Sequence, residues 1–390
     1  MSRTPITVMA VYGTRPEAIK MAPLVLALRA DPRFRVRVVV TGQHREMLDQ
    51  VNGGFGIVPD HDLDIHSPGQ TLTRISNRTL DGLTPLLEAE RPDAVLVQGD
   101  TTTTFAAALA AFYAGVDVIH TEAGLRTGNR HSPFPEEINR RLTSHMASLH
   151  LAPTAESREN LLRENIDPDD VVVTGNSVID ALLLTVAARP RIQDEALAGR
   201  LARNRPVVLV TAHRRESWGE PLRQVGRAVA RLAAAHPGHD FVFPAHRNPL
   251  VREAILPAVE GCGNVLVTEP LPYTEFCALM ERSCLILTDS GGVQEEGPSL
   301  GKPVLVMRET TERPEAVDSG TVELVGTDEQ DIVDTVSHLI LDPAAYDRMA
   351  RAVNPYGDGR AAERTLQALA RRYGLGGSVD EFRPLATTAR

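Results

Sequence analysis

The sequence predicts an α/β protein with two doubly wound domains that face each other across a cleft. Short β-rich runs alternate along the chain with amphipathic segments whose apolar residues recur at three-to-four spacing. A change in composition interrupts this alternation, which then starts again. The chain has 390 residues, enough for two domains of roughly 100–200 residues each. Crossover helices of this length favour a parallel sheet with helices on both faces.

The first domain is predicted over residues 1–176. Its expected strands are Thr7–Gly13, Arg35–Gly42, Ala94–Asp100, Asp117–Glu122, His150–Thr154 and Val171–Asn176. Its expected helices are Glu17–Ala30, Thr71–Glu90, Phe105–Gly115, Glu136–Ser148 and Ala155–Asn165. Because ligands of such sheets bind beyond the carboxyl ends of the strands, the residues that directly follow each strand are the candidates for function.

The second domain is predicted over residues 177–360, with Arg189–Arg205 interpreted as the linker because it is rich in Arg, Pro and Gln. Its expected strands are Val207–His213, Phe241–Ala245, Val265–Glu269, Leu285–Ser290, Val304–Arg308 and Val322–Gly326. Its expected helices are Pro221–Ala235, Leu250–Val259, Thr274–Arg282 and Asp331–Leu341. Residues 361–375 form a last helix, expected to pack back on the first domain. Residues 376–390 are expected to be a flexible tail.

Composition excludes several classes of protein. A formal net charge of −10 without a Lys/Arg-rich block argues against a nucleic-acid partner. No apolar run approaches the roughly 18 residues of a membrane helix and no signal peptide is visible, so we expect no membrane partner and a cytoplasmic location. The three cysteines form no C-x-x-C pair and the twelve histidines show no metal-binding spacing. No metal site is therefore predicted.

An anion-binding turn is predicted at residues 288–296, where an apolar run passes through a glycine-bearing turn into a helix. A helix start leaves backbone N–H groups unpaired, and Gly291 and Gly292 let a phosphate approach them closely. Glu296 lies far enough along the helix to reach a ribose hydroxyl. Ser290 could equally be an ordinary N-cap.

Three acidic residues border the strand ends of the first domain. Asp100 closes a strand before four threonines that can themselves cap the next helix, which favours a functional role for its carboxylate. Glu122 ends the neighbouring strand, where a carboxylate is costly unless it has a function or a cationic partner such as Arg126. Glu136 begins a helix, where an acid normally matches the helix dipole. Three carboxylates near one cleft nevertheless indicate proton transfer.

Basic residues also follow the strands. Arg15 is expected to point at the cleft, while Lys20 could join it or lie on a solvated helix. His213 follows a strand beside Arg214 and is placed for a diphosphate. His246 occupies the equivalent place one strand over and could equally be structural. The sequence has neither a G-x-G-x-x-G nor a Walker motif, so a dinucleotide cofactor or ATP-type chemistry is not expected.

Taken in order, these stretches resemble the non-hydrolysing UDP-N-acetylglucosamine 2-epimerases, which have two Rossmann-like domains in the GT-B fold. The resemblance rests on GTRPEAIK at 13–20, GDTTTT at 99–104, EAGLRT at 122–127, DSGGVQEE at 289–296 and TERPEA at 311–316. Each motif is moderately specific alone. Their order and spacing over nearly the whole chain are specific.

The resemblance implies a set of residues that contact the nucleotide sugar. They are Arg15, Lys20, Asp100, Glu122, His213, Phe276, Ser290, Gly291, Gly292, Glu296 and Arg313. Asp100, Glu122 and Glu136 are implied as catalytic carboxylates and His213 as a further catalytic residue, while Phe276 matches a position that faces the uracil.

The chain departs from some relatives in two places. Leu271 stands where some relatives have a polar residue near the base. In relatives with a second, regulatory substrate site, Gln43, Arg214 and His246 fit the pattern. Glu46 and Gly69 replace a glutamine and an arginine of that site.

The implied reaction is inversion at C2 of UDP-GlcNAc to give UDP-ManNAc, without a cofactor and in a homodimer. The C2 hydrogen is not beside a carbonyl, so it becomes labile only if the C1–O bond to UDP breaks first or concurrently. The intermediate would be 2-acetamidoglucal, trapped until UDP adds back. Three alternatives stay open: a GT-B glycosyltransferase, a hydrolysing epimerase, and a catalytically silent nucleotide-sugar sensor, which would have no use for three carboxylates.

Overall fold

A computed structural model of the chain describes residues 4–311 and 313–384. The described residues divide into two compact units. Unit 1 contains residues up to 181 together with 356–383, and unit 2 contains residues 182–355 and residue 384. No helix in this part of the chain is long and apolar enough to cross a membrane.

Unit 1 is built on seven parallel strands. They are β1 (Ile6–Tyr12), β2 (Phe34–Val40), β3 (His61–Asp62), β4 (Ala94–Gln98), β5 (Asp117–Thr121), β6 (Leu149–Ala152) and β7 (Val171–Val173), in the sheet order β3-β2-β1-β4-β5-β6-β7. The helices that follow these strands are α1 (Arg15–Ala30), α2 (Arg45–Gly54), α3 (Leu72–Glu90), α4 (Thr102–Tyr113), α5 (Glu136–Met146), α6 (Ala155–Arg163) and α7 (Ser177–Ala187). Every residue of β4 is buried, as expected for a strand covered on both faces.

Unit 2 is built on six parallel strands. They are β8 (Val207–Thr211), β9 (Asp240–Pro244), β10 (Val265–Thr268), β11 (Leu285–Thr288), β12 (Val304–Val306) and β13 (Val322–Leu324), in the sheet order β10-β9-β8-β11-β12-β13. The helices after α7 are α8 (Glu195–Leu201), α9 (Glu220–Ala235), α10 (Pro249–Val259), α11 (Tyr273–Arg282), α12 (Gly291–Ser299), α13 (Pro314–Asp318), α14 (Glu329–Leu341), α15 (Pro343–Ala350) and α16 (Ala361–Arg372). The predicted α/β class with parallel sheets is confirmed.

The strand order reverses beside the first strand of each sheet. In unit 1 the reversal lies between β1 and β4, and in unit 2 it lies between β8 and β11. The connections leave in opposite directions at such a point, which opens a crevice at the carboxyl ends of the two strands. A ligand-binding site is therefore expected at the loops that begin at Gly13, Gly99, Ala212 and Asp289.

The interpretation of Arg189–Arg205 as a linker is wrong. The chain passes from unit 1 to unit 2 after Ala181, within α7, and returns at Tyr356. Residues 189–205 lie inside unit 2 and contain α8, which buries Leu197 and Leu201. Their polar composition reflects the exposed side of one short helix. Unit 1 also has one strand more than the six predicted. The additional strand, β3, was not predicted because it is only two residues long.

The chain returns to unit 1 through α16. The Asp180 carboxylate accepts the backbone N–H groups of Ala361 and Ala362, at 3.1 and 2.8 Å. Residues 376–384 contain no helix or strand, but Phe382 is 5% exposed and its N–H donates to the Val173 carbonyl at 2.8 Å. Contrary to the expected flexible tail, this portion packs against unit 1. Residues 385–390 lie outside the described residues.

Candidate functional site

Glu17 joins the loops that follow β1 and β4. Its buried carboxylate accepts the backbone N–H groups of Gly13 and Thr14, at 3.1 and 2.7 Å. It also accepts the hydroxyls of Thr101 and Thr104, at 2.8 and 3.0 Å. Burial raises the pKa of Glu17, and these hydrogen bonds oppose the rise only in part. Glu17 is not among the site residues predicted from the sequence, although it completes a capping box three residues after Thr14.

Glu122 follows β5 with a backbone φ of +56°, in the left-handed region that non-glycine residues rarely adopt. Its carboxylate forms an ion pair with Lys20 of α1 and accepts a hydrogen bond from Gln98. The Lys20 and Glu122 side chains are only 17% and 9% exposed. The expected partner, Arg126, instead pairs with Glu164 at 2.7 Å. Lys20 is thus the cationic partner of Glu122 rather than a residue of a solvated helix face.

Asp100 lies beside the start of α5. Arg140 donates from Nε to Asp100 Oδ2 at 3.1 Å, and Asn139 donates to the Asp100 carbonyl at 3.0 Å. The capping role at α4 is taken by Thr101, which leaves the Asp100 carboxylate for other contacts. Glu136 is the first residue of α5 and is half-buried. Unit 1 therefore brings Asp100, Arg140 and the helix that begins with Glu136 together at the carboxyl end of β4.

Arg15 is the first residue of α1, directly after the β1 turn, and is half-buried. The turn before it is tight, because a Cβ on Gly13 would lie 1.9 Å from Thr41 Oγ1. Only glycine fits there. The packing of this turn fixes the point at which α1 begins, and with it the position of Arg15 at the carboxyl end of β1.

His213 and Asp289 follow the neighbouring strands β8 and β11. Asp289 Oδ2 accepts the backbone N–H groups of His213 and Arg214, at 2.6 and 2.7 Å. Its Oδ1 lies 2.8 Å from Nδ1 of His213. Burial raises the pKa of Asp289, but hydrogen bonds and charge from His213 outweigh it, so the net shift is downward. Asp289 was not predicted as a site residue, although it is the first residue after β11.

Two arginine side chains from other segments lie beside the start of α12. A Cβ on Gly291 would lie 2.9 Å from Nη1 of Arg313 and 3.3 Å from Nη2 of Arg214, so both guanidinium groups flank this end of the helix. Ser290 occupies the N-cap position but makes no side-chain capping hydrogen bond. A helix N-terminus with two adjacent cations favours a phosphate or diphosphate.

Glu296 lies within reach of the same turn. It is 6% exposed, and its side chain accepts a hydrogen bond from the Tyr273 hydroxyl at 2.9 Å. A Cβ added to Gly292 would lie 3.7 Å from Glu296 Oε2. Burial and the Glu296 charge raise the pKa of Tyr273, so its phenol stays a hydrogen-bond donor. Phe276 lies one turn further along α11 and is partly exposed. Leu271 is buried two residues before that helix.

The three residues that fit the regulatory pattern are in different units. In unit 1, Gln43 Oε1 accepts the Thr103 hydroxyl at 2.9 Å. In unit 2, the His246 ring stacks on His213, with ring centroids 6.0 Å apart and an interplanar angle of 24°. Arg214 donates from Nε to the Asp289 carbonyl at 3.2 Å. Arg214 and His246 therefore adjoin the anion-binding turn of unit 2.

The chain has extensive similarity to known proteins. It matches the family model described as UDP-N-acetylglucosamine 2-epimerase over residues 26–370. It is 55% identical over 370 residues to the UDP-N-acetylglucosamine 2-epimerase of Escherichia coli strain K12, covering 93% of this chain and 98% of that protein.

Two solved structures extend the comparison. The crystal structure of the Neisseria meningitidis UDP-GlcNAc 2-epimerase bound to UDP-GlcNAc has a TM-score of 0.83 and 48% identity, covering 94% of this chain and 100% of that chain. The crystal structure of the Methanocaldococcus jannaschii UDP-GlcNAc 2-epimerase in complex with UDP-GlcNAc and UDP has a TM-score of 0.75 and 31% identity, covering 94% and 100%. The two parallel sheets place the chain among α/β proteins of the GT-B type. More specifically, it belongs to the UDP-N-acetylglucosamine 2-epimerase family.

Proposed function

We propose that this protein is a non-hydrolysing epimerase that interconverts UDP-GlcNAc and UDP-ManNAc. The carrying observation is that Asp100 and Glu122 follow neighbouring strands of one sheet, each paired with a cation, Arg140 or Lys20. Carboxylates that lie at the carboxyl ends of strands, each beside a cation, are suited to transferring protons. The identity of the relatives and the UDP-GlcNAc bound to the Neisseria meningitidis enzyme support the choice of substrate.

Unit 2 is proposed to bind UDP. The N–H groups at the start of α12 and the side chains of His213, Arg214 and Arg313 would hold the diphosphate, whose charge they complement. Glu296 would accept a ribose hydroxyl, and Phe276 would contact the uracil. The remaining proposed contacts, near the phosphates, are Ser290, Gly291 and Gly292.

Unit 1 is proposed to carry out the proton transfers. As the C1–O bond breaks, its electron pair leaves with UDP and positive charge develops on the sugar ring. A carboxylate then removes the C2 proton, which gives the C1–C2 double bond of 2-acetamidoglucal. UDP adds back to C1 while an acid delivers a proton to the opposite face of C2, which inverts that centre. Asp100, Glu122 and Glu136 are the proposed acids and bases, and Arg15 and Lys20 the adjacent cations.

Proton NMR of the purified protein with UDP-GlcNAc in deuterium oxide tests this function. We expect deuterium at C2 in both UDP-sugars, with UDP retained throughout. Release of free ManNAc would identify the hydrolysing reaction instead. Turnover that requires a sugar acceptor would identify a glycosyltransferase, and binding without turnover would leave only a sensor. Asp100→Asn serves as the control for contaminating activity.

We further propose that the chain forms a homodimer, using the apolar end of α4. Phe112 and Tyr113 are 55% and 76% exposed, and Leu142 on the adjoining helix α5 is 44% exposed. Such exposed apolar side chains mark surfaces that bind another protein. Analytical ultracentrifugation should give the dimer mass for the native chain and the monomer mass for the pair Phe112→Asp with Tyr113→Asp. Leu341→Asp, at a site 73% exposed elsewhere, should stay dimeric. A monomeric native chain would contradict the proposal.

A further inference from the structure

A buried carboxylate lies against a histidine ring at the ends of β8 and β11. The Asp289 side chain is 2% exposed and the His213 side chain 39% exposed. Within the described residues, buried Asp289 Oδ1 accepts no well-aligned hydrogen bond, and the polar atom beside it is His213 Nδ1, 2.8 Å away at ion-pair distance. Two lone pairs at that distance would repel each other, so Nδ1 carries a proton and faces the carboxylate. Nε2 is then the ring nitrogen that can meet a ligand.

We propose that Asp289 is a positioning residue that holds the Nδ1–H of His213 and thereby makes the ring bind diphosphate as an imidazolium, through Nε2–H. The inference rests on the proposed function for the identity of the ligand. With Nδ1 already protonated, a neutral ring has a lone pair at Nε2, which a phosphate oxygen would repel. Donation to phosphate therefore requires the ring to take up a proton, and the Asp289 charge stabilises the cation that results.

The other charged groups around His213 explain why proton uptake should accompany binding. Arg214 and Arg313 both lie at the start of α12, and the His246 ring stacks on the His213 ring. His246 Nδ1 accepts the backbone N–H of Asn248 at 3.1 Å, so that nitrogen is not protonated. The two guanidinium groups disfavour a third positive charge while the site is empty. A diphosphate reverses that balance by bringing negative charge.

Asp289→Asn separates this role from a purely structural one. The asparagine oxygen can replace Asp289 Oδ2 and accept the same two backbone N–H groups from His213 and Arg214. Its amide nitrogen then faces His213 Nδ1, which must act as an acceptor, so the ring proton moves to Nε2. In Asp289→Asn the turn keeps its backbone hydrogen bonds. The His213 ring, however, loses both its Nδ1–H tautomer and the negative charge beside it.

Calorimetric titration with UDP, in buffers of different ionisation enthalpy, measures the proton uptake. We expect the native protein to take up a proton when UDP binds at mildly alkaline pH, and its UDP affinity to fall as the pH rises, by up to ~10-fold per pH unit for one linked proton. Asp289→Asn and His213→Asn should both lose the uptake and show a flatter pH profile. Asp334→Asn, an exposed acid on α14, is the matched control and should behave as the native protein does. Nitrogen-15 NMR of the histidines should show Nδ1–H for His213 in the native protein and Nε2–H in Asp289→Asn.

Two results would overturn the inference: native proton uptake that persists in Asp289→Asn, or a native His213 protonated only at Nε2. The epimerase test is separate. A protein that binds UDP with the expected uptake but exchanges no C2 hydrogen would refute the proposed function and leave this inference standing. A protein that epimerises without the uptake would refute this inference alone.

Discussion

Asp100 and Glu122, two of the three acids of unit 1, follow strands, and each is paired with a cation from a helix. Lys20 comes from α1 and Arg140 from α5, so the orientation of each carboxylate depends on where that helix begins. The sequence shows which residues end the strands. It does not show the partner of Glu122, because the choice between Lys20 and Arg126 depends on the angle at which α1 leaves β1.

Amide substitutions of the three acids should slow epimerisation without weakening UDP binding. Asp100→Asn, Glu122→Gln and Glu136→Gln keep the side-chain shape but cannot transfer a proton, so a loss of roughly 10²–10⁴-fold is expected at the residues that act directly. NMR time courses measure the rate, and calorimetry measures UDP affinity. Glu159→Gln, an exposed acid on α6, is the control. Near-native rates in all three variants would exclude the carboxylate mechanism, and release of glycal from one would assign its role.

Gly291→Ala should weaken UDP binding by displacing an arginine. The added Cβ would lie 2.9 Å from Nη1 of Arg313, closer than real Cβ contacts allow, so the guanidinium must move. A displaced charge-assisted contact is worth on the order of 1.5–3 kcal/mol. Calorimetry on Gly291→Ala, Arg313→Ala and the double variant forms a cycle. If the two losses simply add, the glycine does not act through Arg313.

At the scale of single elements, the parallel strands were the most predictable part of the fold. Buried strands such as β4 and β8 are continuous apolar runs, which stand out in any sequence. The short elements β3 and α8 were missed. Two residues are too few to show alternation, and the seven residues of α8 span barely two turns.

The joint between α7 and α16 should make unit 1 sensitive to pH. Burial raises the pKa of Asp180 to about 6, although hydrogen bonds from Ala362 and Ala361 oppose the rise. Because the folded state binds this proton more tightly, the carboxyl contributes stability that is fully present below about pH 4 and is lost as the pH rises through about 6. A shift of roughly two units corresponds to about 3 kcal/mol.

Asp180→Asn removes this titration and keeps an oxygen acceptor for the start of α16. Urea unfolding between about pH 4 and 7 should therefore show a native stability that falls relative to the variant as the pH rises. Two curves that stay parallel over this range would show that Asp180 does not titrate between the folded and unfolded states.

At the scale of the whole molecule, the described residues of unit 2 are continuous in sequence apart from Pro384, and those of unit 1 are not. We expect a fragment of residues 182–355 to fold alone, because its sheet and core are complete. A fragment that ends at residue 181 should not, since it lacks α16, whose Leu369 is fully buried, and leaves the Asp180 carboxylate without its two N–H donors. Circular dichroism of both fragments tests this.

A third fragment supplies the control. Joining residues 4–181 to 356–383 through a flexible linker should restore the sheet and cooperative unfolding of unit 1. Cooperative unfolding of the 4–181 fragment by itself would show that α16 is dispensable. The last helix, residues 361–375, is expected from the sequence to pack back on the first domain, although no pattern in these residues says which sheet the helix will cover.

The late return of the chain to unit 1 also sets an order of events on the ribosome. All seven strands of unit 1 are synthesised before unit 2 begins, yet the helix that completes their packing is translated only after unit 2. At roughly 5–20 residues per second, translation of residues 182–355 takes on the order of ten seconds or more. During that time the sheet of unit 1 lacks the packing of α16, while unit 2 emerges and folds. Unit 1, which is translated first, should therefore complete its folding after unit 2, and chaperones that bind nascent chains should favour its uncovered surface.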